Sequence, residues 1–372
     1  MPERPDTSRT RARAAAPPAV TPDDGPGGAP GRLLVRVTAR IQETPEAVSL
    51  VLHPELPYAP GQFLTLRIPG GAARCYSLAS SPHTGEPMRI TVKRVTGGIG
   101  SGWVCDTVVP GDELEVLAPA GTFTPGPGGL DADLLLLAGG SGITPVLSLA
   151  KSALAAGRGR ITLFYANRDS GSVIFREELR RLAGEHPGRF AVVHWLEELQ
   201  GLPTAGRLGP LLAPYAGREA WLCGPGPLMD AAAGALRAAG APAARIHRER
   251  YFSLAADVFA PAAAPPPPGP AGPGPAEAPA DAPALVEAEL DGHTYRLPWD
   301  RRTPLLDVLL AAGADAPYSC REGACAACCC RVLEGEVAMA RNEVLDGADL
   351  AGGYVLACQA LPLSDRVRIG YA

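Results

Sequence analysis

The chain has no apolar run approaching the roughly 20 residues needed to cross a bilayer, and its N-terminus lacks the hydrophobic centre of a secretory signal. A cytoplasmic protein is the expectation. Basic charge is not in excess: 34 Lys and Arg stand against 39 Asp and Glu, a formal net charge of −5, which leaves no cationic surface to attract nucleic acid or anionic lipid. The six histidines show neither H-E-x-x-H nor a paired metal spacing. None is assigned to a metal, and His194 is expected to fill a strand position. There is no internal repeat. At 372 residues with 46% hydrophobic content, the chain can bury two or three modest cores rather than one.

Cysteine, by contrast, is in surplus. Nine are present, and six of them lie between Cys320 and Cys358, which suits thiolate ligands in a reducing compartment better than disulfides. Cys320, Cys325, Cys328 and Cys358 reproduce the C-x4-C-x2-C…C ladder of a plant-type [2Fe-2S] cluster. Small residues between them let the backbone wrap tightly and aim N–H groups at cluster sulfurs, whereas a zinc knuckle would want paired C-x2-C units. Such a site has only four ligand positions. Cys329 and Cys330 are therefore read as packing residues, and Cys75 and Cys105 likewise as small apolar residues.

Composition divides the chain. Residues 1–31 mix Arg, Ala, Pro, Asp and Gly without apolar periodicity and are expected to form a disordered tail. Short alternating segments such as Leu34 to Val37, Val48 to Val51, Phe63 to Leu66 and Ile90 to Lys93 fill residues 32–128 and predict a small antiparallel β-barrel. Over 129–254, apolar strands alternate with helical stretches: Leu134 to Ala138 then Val146 to Ala155, Ile161 to Ala166 then Ile174 to Leu182. Strands at Ala191 to Leu196 and Ala220 to Cys223 and a helix from Leu228 to Ala238 complete an α/β parallel-sheet nucleotide-binding domain. The Pro/Ala-rich tract 255–283 reads as a linker able to span roughly 90 Å in polyproline form. Residues 284–372 predict an α+β, β-grasp ferredoxin-type domain, with strands at Leu285 to Leu290 and Arg366 to Ile369, a helix near Leu305 to Ala311, and the cysteine loop.

Three glycine- or arginine-centred motifs carry further chemistry. Arg74-Cys75-Tyr76-Ser77 combines a cation and hydrogen-bond donors for phosphate with an aromatic face and a hydroxyl suited to an isoalloxazine ring. Val92 and Lys93 lead into Gly97-Gly98-Ile99-Gly100-Ser101, whose amides can cradle a pyrophosphate, with Gly98, Gly100 and Ser101 the candidate contacts. Gly139-Gly140-Ser141-Gly142-Ile143-Thr144-Pro145 follows an apolar strand and precedes a helix, the place where a dinucleotide meets backbone amides and a positive helix end. Arg168 could meet a 2′-phosphate, and the neighbouring Asp169 a free ribose hydroxyl; the balance leans to NADH.

Together, Arg74 to Ser77, the Gly97 to Ser101 loop, the G-x-G-x-T-P turn and Cys223-Gly224-Pro225 resemble the ferredoxin-NADP reductase-like enzymes. The order barrel, nucleotide domain, linker, ferredoxin is similar to the reductase components of multicomponent bacterial oxygenases. Within that group Val192 to Glu197, Gln200 to Pro203, Tyr165 to Asp169 and Ser172 to Phe175 look most like the 3-ketosteroid 9α-hydroxylase reductases, with the phenylacetyl-coenzyme A epoxidase reductases second. The resemblance implies FAD, with Arg74 on flavin phosphate and Tyr76 and Ser77 at the ring. It also brings Thr144 close to the flavin, gives Gly140, Gly142 and Pro145 of the G-x-G-x-T-P turn to the nicotinamide nucleotide, sets the Cys223-Gly224-Pro225 turn beside the nicotinamide, and implies a Rieske-type oxygenase partner. Cys223 and Ser77 are the candidate catalytic residues, with Cys223 assisting geometry rather than attacking covalently. A redox-sensing protein without sustained turnover is the alternative from another class. One departure stands out: the family often has Gly where this chain has Ala326, and a left-handed backbone there would cost about 1 kcal/mol or more.

Overall fold

The computed structural model describes residues 32–251, 258–259, 283–290, 292–314, 316–318, 320–323, 325–345 and 347–371. The expected N-terminal tail, most of the 255–283 tract, and Ser319 and Ala324 of the cysteine loop lie outside them.

The first body comprises β1 (Arg32–Thr44), β2 (Ala47–His53), β3 (Phe63–Arg67), β4 (Ala73–Ser77), β5 (Arg89–Lys93), α1 (Ile99–Asp106) and β6 (Glu113–Ala120). Its antiparallel strands run in the order β4-β3-β6-β1-β2-β5, and a bridge between Leu78 and Ile90 closes the sheet into the expected barrel. Period-2 alternation turns Val35, Val37, Leu64, Leu66, Leu50 and Ile90 inward. Sequence patterning did not reveal α1, whose glycines and short length hide its helical period.

The second body is built from β7 (Leu134–Gly139), α2 (Ile143–Ala156), β8 (Ile161–Asn167), α3 (Arg176–Glu185), β9 (Phe190–Leu196), α4 (Glu197–Gln200), α5 (Ala205–Leu212), β10 (Glu219–Cys223), α6 (Gly226–Ala238) and β11 (Ile246–Glu249). All five strands are parallel, in the order β11-β10-β7-β8-β9. The continuous apolar run of β7 is explained by burial on both faces. Helix α3 starts at Arg176, two residues later than its apolar pattern suggests, because Phe175 takes φ 61° and turns the chain; Ile174 and Phe175 instead enter the core.

The third body contains β12 (Ala284–Leu290), β13 (His293–Trp299), α7 (Leu305–Ala311), β14 (Cys329–Glu334), β15 (Val337–Met339), α8 (Gly347–Ala351), β16 (Tyr354–Leu356), β17 (Ala360–Pro362) and β18 (Arg366–Gly370). Its main sheet, β13-β12-β18-β14-β16, is mixed, with β12 and β18 parallel. Ala284, Val286, Ala288 and Leu290 alternate inward along β12 to meet Leu305, Leu306 and Leu309 of α7.

Barrel and nucleotide domain are pinned by charge as well as apolar contact. Lys151 of α2 is 4% exposed and pairs with Glu86 at 2.7 Å and Glu178 at 3.2 Å, while Arg89 of β5 reaches Glu178 at 2.7 Å. Removing one partner from such a buried group would strand an uncompensated charge, so the domains hold one another in register.

Candidate functional site

Strand alternation gives β4 two chemical faces. Arg74 and Tyr76 share one face with Leu64 and Leu66 across the pair, and Ala73 and Cys75 share the other. Gly100 of α1 stands against the first face: a Cβ there would lie 2.9 Å from Arg74 Cγ and 3.3 Å from the Tyr76 hydroxyl. Helix α1 has Gly98 as its N-cap, with no side-chain cap bond, so backbone donors at its first turn remain for an anion. Ser101 is engaged locally, its Oγ accepting from the Val95 N–H at 3.0 Å. This cradle of small residues, uncapped amides and Arg74 fits a flavin phosphate. Val92 is 1% exposed inside the barrel, paired with Val48 of β2.

In the nucleotide turn the glycines serve close packing. A Cβ on Gly142 would lie 2.1 Å from the Cys223 carbonyl oxygen, and one on Gly224 2.8 Å from the Gly139 nitrogen. The turn and the Cys223-Gly224-Pro225 segment are thus back to back. Pro145 sits in the first turn of α2, where its missing N–H costs nothing, and the helix start carries no side-chain cap. Lys93 Nζ stands 3.6 Å from where a Gly140 Cβ would be; burial holds its ammonium below the usual lysine range. These features fit a nicotinamide dinucleotide.

Neither residue weighed for nucleotide choice is idle. Arg168 is bound to Glu46, from the β1–β2 turn of the barrel, at 2.5 Å. Asp169 accepts from the Ser172 N–H at 2.8 Å in a capping box.

The candidate catalytic residues meet at a side chain that sequence reasoning missed. Ser77 donates to the Tyr251 hydroxyl at 3.3 Å. Thr144 donates to the Ser141 carbonyl at 3.0 Å and so accepts from Tyr251 at 2.9 Å. Cys223, wholly buried, also bonds Tyr251, and burial pushes its thiol far up, which argues against a thiolate nucleophile. Tyr251 inserts its hydroxyl among these groups while the residue as a whole remains 44% exposed, which leaves part of it open to a planar ligand. Burial pushes the neighbouring Glu249 carboxyl up to about 8. The signal available was the Glu249-Arg250-Tyr251 triplet closing a short strand with no apolar alternation.

The cysteine quartet assembles from the loop before β14 and the turn after β16. Cys320 is hydrogen-bonded to Cys325 and Cys358, and Cys328 to Cys358. Backbone N–H groups of Cys320, Glu322 and Cys358 point at the sulfurs of Cys325, Cys320 and Cys328 at 3.4, 3.3 and 3.4 Å. Contact with Cys320 holds the Cys325 and Cys358 thiols above their ordinary range, while the bond from Cys358 holds Cys328 below it. Thiolates this close repel unless a cation lies between them, which fits a cluster. Among the described residues no three such side chains are arranged round a single ion; a [2Fe-2S] core divides four thiolates between two irons. Ala326 has φ 54°, the left-handed conformation anticipated for that position. Cys330 is buried and Cys329 half-buried in β14 beside Val355 and Leu356, as expected of packing residues.

A cavity of about 800 Å³ separates β11 from the cluster loop, lined by Trp221, His247, Glu249, Cys325, Ala326 and Tyr354. Elsewhere the loop touches the barrel: Cys320 is buried with Ala73 and Leu117, and Cys75 and Cys325 pack against that group.

Comparison with known proteins agrees with this layout. Residues 47–124 match an oxidoreductase FAD-binding domain, 136–233 an oxidoreductase NAD-binding domain, and 288–363 a 2Fe-2S iron-sulfur cluster binding domain. FAD, a nicotinamide nucleotide and a [2Fe-2S] cluster are therefore the cofactors. The fold is that of phthalate dioxygenase reductase, at TM-score 0.53 and 24% identity over 92% of this chain and 98% of that one. A component of the 1,2-phenylacetyl-CoA epoxidase of Escherichia coli is 33% identical over 88% of this chain and 94% of its own. The ferredoxin reductase component of 3-ketosteroid-9-alpha-monooxygenase from Rhodococcus rhodochrous is 50% identical, covering 91% of this chain and 97% of its own. With all three modules in that order and half of its residues shared along almost their whole length, the chain belongs to the family of 3-ketosteroid-9-alpha-monooxygenase ferredoxin reductase components.

Proposed function

We propose that the chain takes a hydride from NADH where Ser77, Thr144, Cys223 and Tyr251 meet, and delivers single electrons through the Cys320, Cys325, Cys328 and Cys358 site to a Rieske-type oxygenase. That oxygenase hydroxylates a 3-ketosteroid at the 9α position, and the steroid binds there rather than here. The observation carrying the reading is the packing of Cys320 on Ala73, which links the strand of Arg74, Tyr76 and Ser77 directly to the cluster loop.

FAD, when bound, supplies the conversion between a two-electron hydride and one-electron transfers. The protein's part is placement. Arg74 and the first turn of α1, with Gly98, Gly100 and Ser101, hold phosphate; Tyr76, Cys75 and Ser77 form the flavin-side strand. Gly140, Gly142, Thr144, Pro145 and Lys93 receive the dinucleotide, and Gly224 and Pro225 set the height of Cys223. Glu249 carries a proton near neutrality and is the group able to exchange one at this junction. Pairing of Arg168 with Glu46 supports NADH over NADPH. The working division is a flavin unit over 32–128, a nucleotide unit over 129–254, a tether over 255–283 and a ferredoxin unit over 284–372, acting in the cytoplasm. No helix among the described residues is long and apolar enough to cross a membrane.

The test mixes purified protein, NADH, a 3-ketosteroid and candidate Rieske oxygenases and follows hydroxylated steroid. Product that requires this chain and is lost with Cys325→Ser, while NADH still bleaches the flavin, supports the route. Undiminished product from Cys325→Ser would overturn it.

A further inference from the structure

Between Ala255 and Pro283 the only large apolar side chains are Val258 and Phe259. Both are buried, at 0% and 1% exposure, although the tract reads as a free tether. They fill the space between three surfaces: Ala73 of β4, Leu117 of β6, and Cys320 of the cluster loop, with Cys75, Tyr318 and Cys325 at the margin. The guanidinium of Arg67, at the end of β3, lies 5.8 Å from the Phe259 ring centroid and is held by Glu115 of β6 at 2.9 Å.

This wedge sits at an informative place. Arg74 and Tyr76 face α1, and the opposite face of the same strand, Ala73 and Cys75, meets Phe259 and the cysteine loop. Electron transfer weakens steeply with separation, so whatever seats Cys320 against β4 controls the step from flavin to cluster. In this cluster the barrel contributes Ala73, Cys75 and Leu117 and the cysteine loop Tyr318, Cys320 and Cys325, and Val258 with Phe259 fills the space between them to make a packed surface.

We propose that Val258 and Phe259 form a latch, a pair of positioning residues that seats the cluster loop on β4 for intramolecular electron transfer and must withdraw when the ferredoxin domain turns to an external acceptor. The assignment rests on reading Cys320, Cys325, Cys328 and Cys358 as cluster ligands. In the step it governs, one electron leaves the NADH-reduced flavin and enters the oxidised cluster; no bond to Val258 or Phe259 forms or breaks. The second electron follows once the first has passed to the oxygenase.

The test compares full-length holoprotein carrying Phe259→Ala, Val258→Ala or Phe259→Leu with the parent. Anaerobic mixing with NADH is followed by flavin bleaching and by freeze-quenched electron paramagnetic resonance of the reduced cluster. Hydrogen exchange of Ala73–Ser77 and of the cysteine loop is read alongside. For Phe259→Ala the expectation is flavin bleaching within twofold of the parent and cluster reduction at least tenfold slower. Iron content and cluster midpoint potential stay unchanged, and exchange rises at both surfaces. Val258→Ala should be intermediate, and Phe259→Leu should restore cluster reduction to within threefold. Parental rates of cluster reduction in both truncations, or unchanged exchange, would overturn the latch. Parent protein without a cluster signal would instead overturn the ligand assignment, and the latch with it.

Discussion

Tyr251 and Thr144 are 107 residues apart in sequence and share a hydrogen bond of 2.9 Å. With Ser77 on the same hydroxyl, Tyr251 ties barrel, nucleotide turn and β10 together at one oxygen. Tyr251→Phe keeps the ring and removes this tie. The expected loss is about 1–2 kcal/mol of stability, since each buried hydrogen bond contributes about 1 kcal/mol and stranded hydroxyls add to the cost. Denaturant midpoints of the two holoproteins measure it, and an unshifted midpoint would refute the bridging role.

That junction shows where reading a sequence stops. Barrel, parallel sheet and ferredoxin were legible because period-2 alternation, apolar runs such as Leu134 to Ala138 and the cysteine ladder are local patterns. Glu249 and Tyr251 were not, because their meaning depends on β11 lying beside β10 at a sheet edge, where Ile246 to Glu249 are all only half-buried. The Arg168 to Glu46 pair spans 122 residues and two domains, so sequence offered both candidates for nucleotide choice without their partner. Val258 and Phe259 were masked by the alanine and proline around them.

Glu46 occupies Arg168 and lies 4.0 Å from Lys93, placing a negative charge beside the cation proposed to meet a 2′-phosphate. Glu46→Gln is expected to raise kcat/KM for NADPH about tenfold relative to NADH, equivalent to about 1.4 kcal/mol, mainly through KM. Steady-state kinetics with both nucleotides check this. An unchanged ratio would place selectivity elsewhere.

Ala326 holds φ 54°, a conformation that costs an L-residue about 1–2 kcal/mol and glycine almost nothing. Ala326→Gly should recover about 1 kcal/mol after the extra entropy of an unfolded glycine. Slower loss of cluster colour in denaturant is the readout, and faster bleaching would show that the methyl packs usefully in the ferredoxin core.

Burial raises the Glu249 carboxyl from its ordinary 4.5 to about 8. Between these values the folded protein keeps a proton that the unfolded chain releases. Stability therefore falls as pH rises from about 4.5 and levels off above about 8. Glu249→Gln removes this contribution. Unfolding measured at pH 5 and pH 8 should show a smaller decline for the variant than for the parent, and parallel declines would mean that the carboxyl ionises normally.

Gly142 packs so closely on the Cys223 carbonyl that no side chain would fit between them, which couples the dinucleotide turn to the thiol's strand. Widening the turn to admit a different nucleotide would therefore disturb the backbone that carries Cys223. Altered coenzyme choice is thus most readily reached from the rim, at Arg168 and Glu46, where the backbone can stay still.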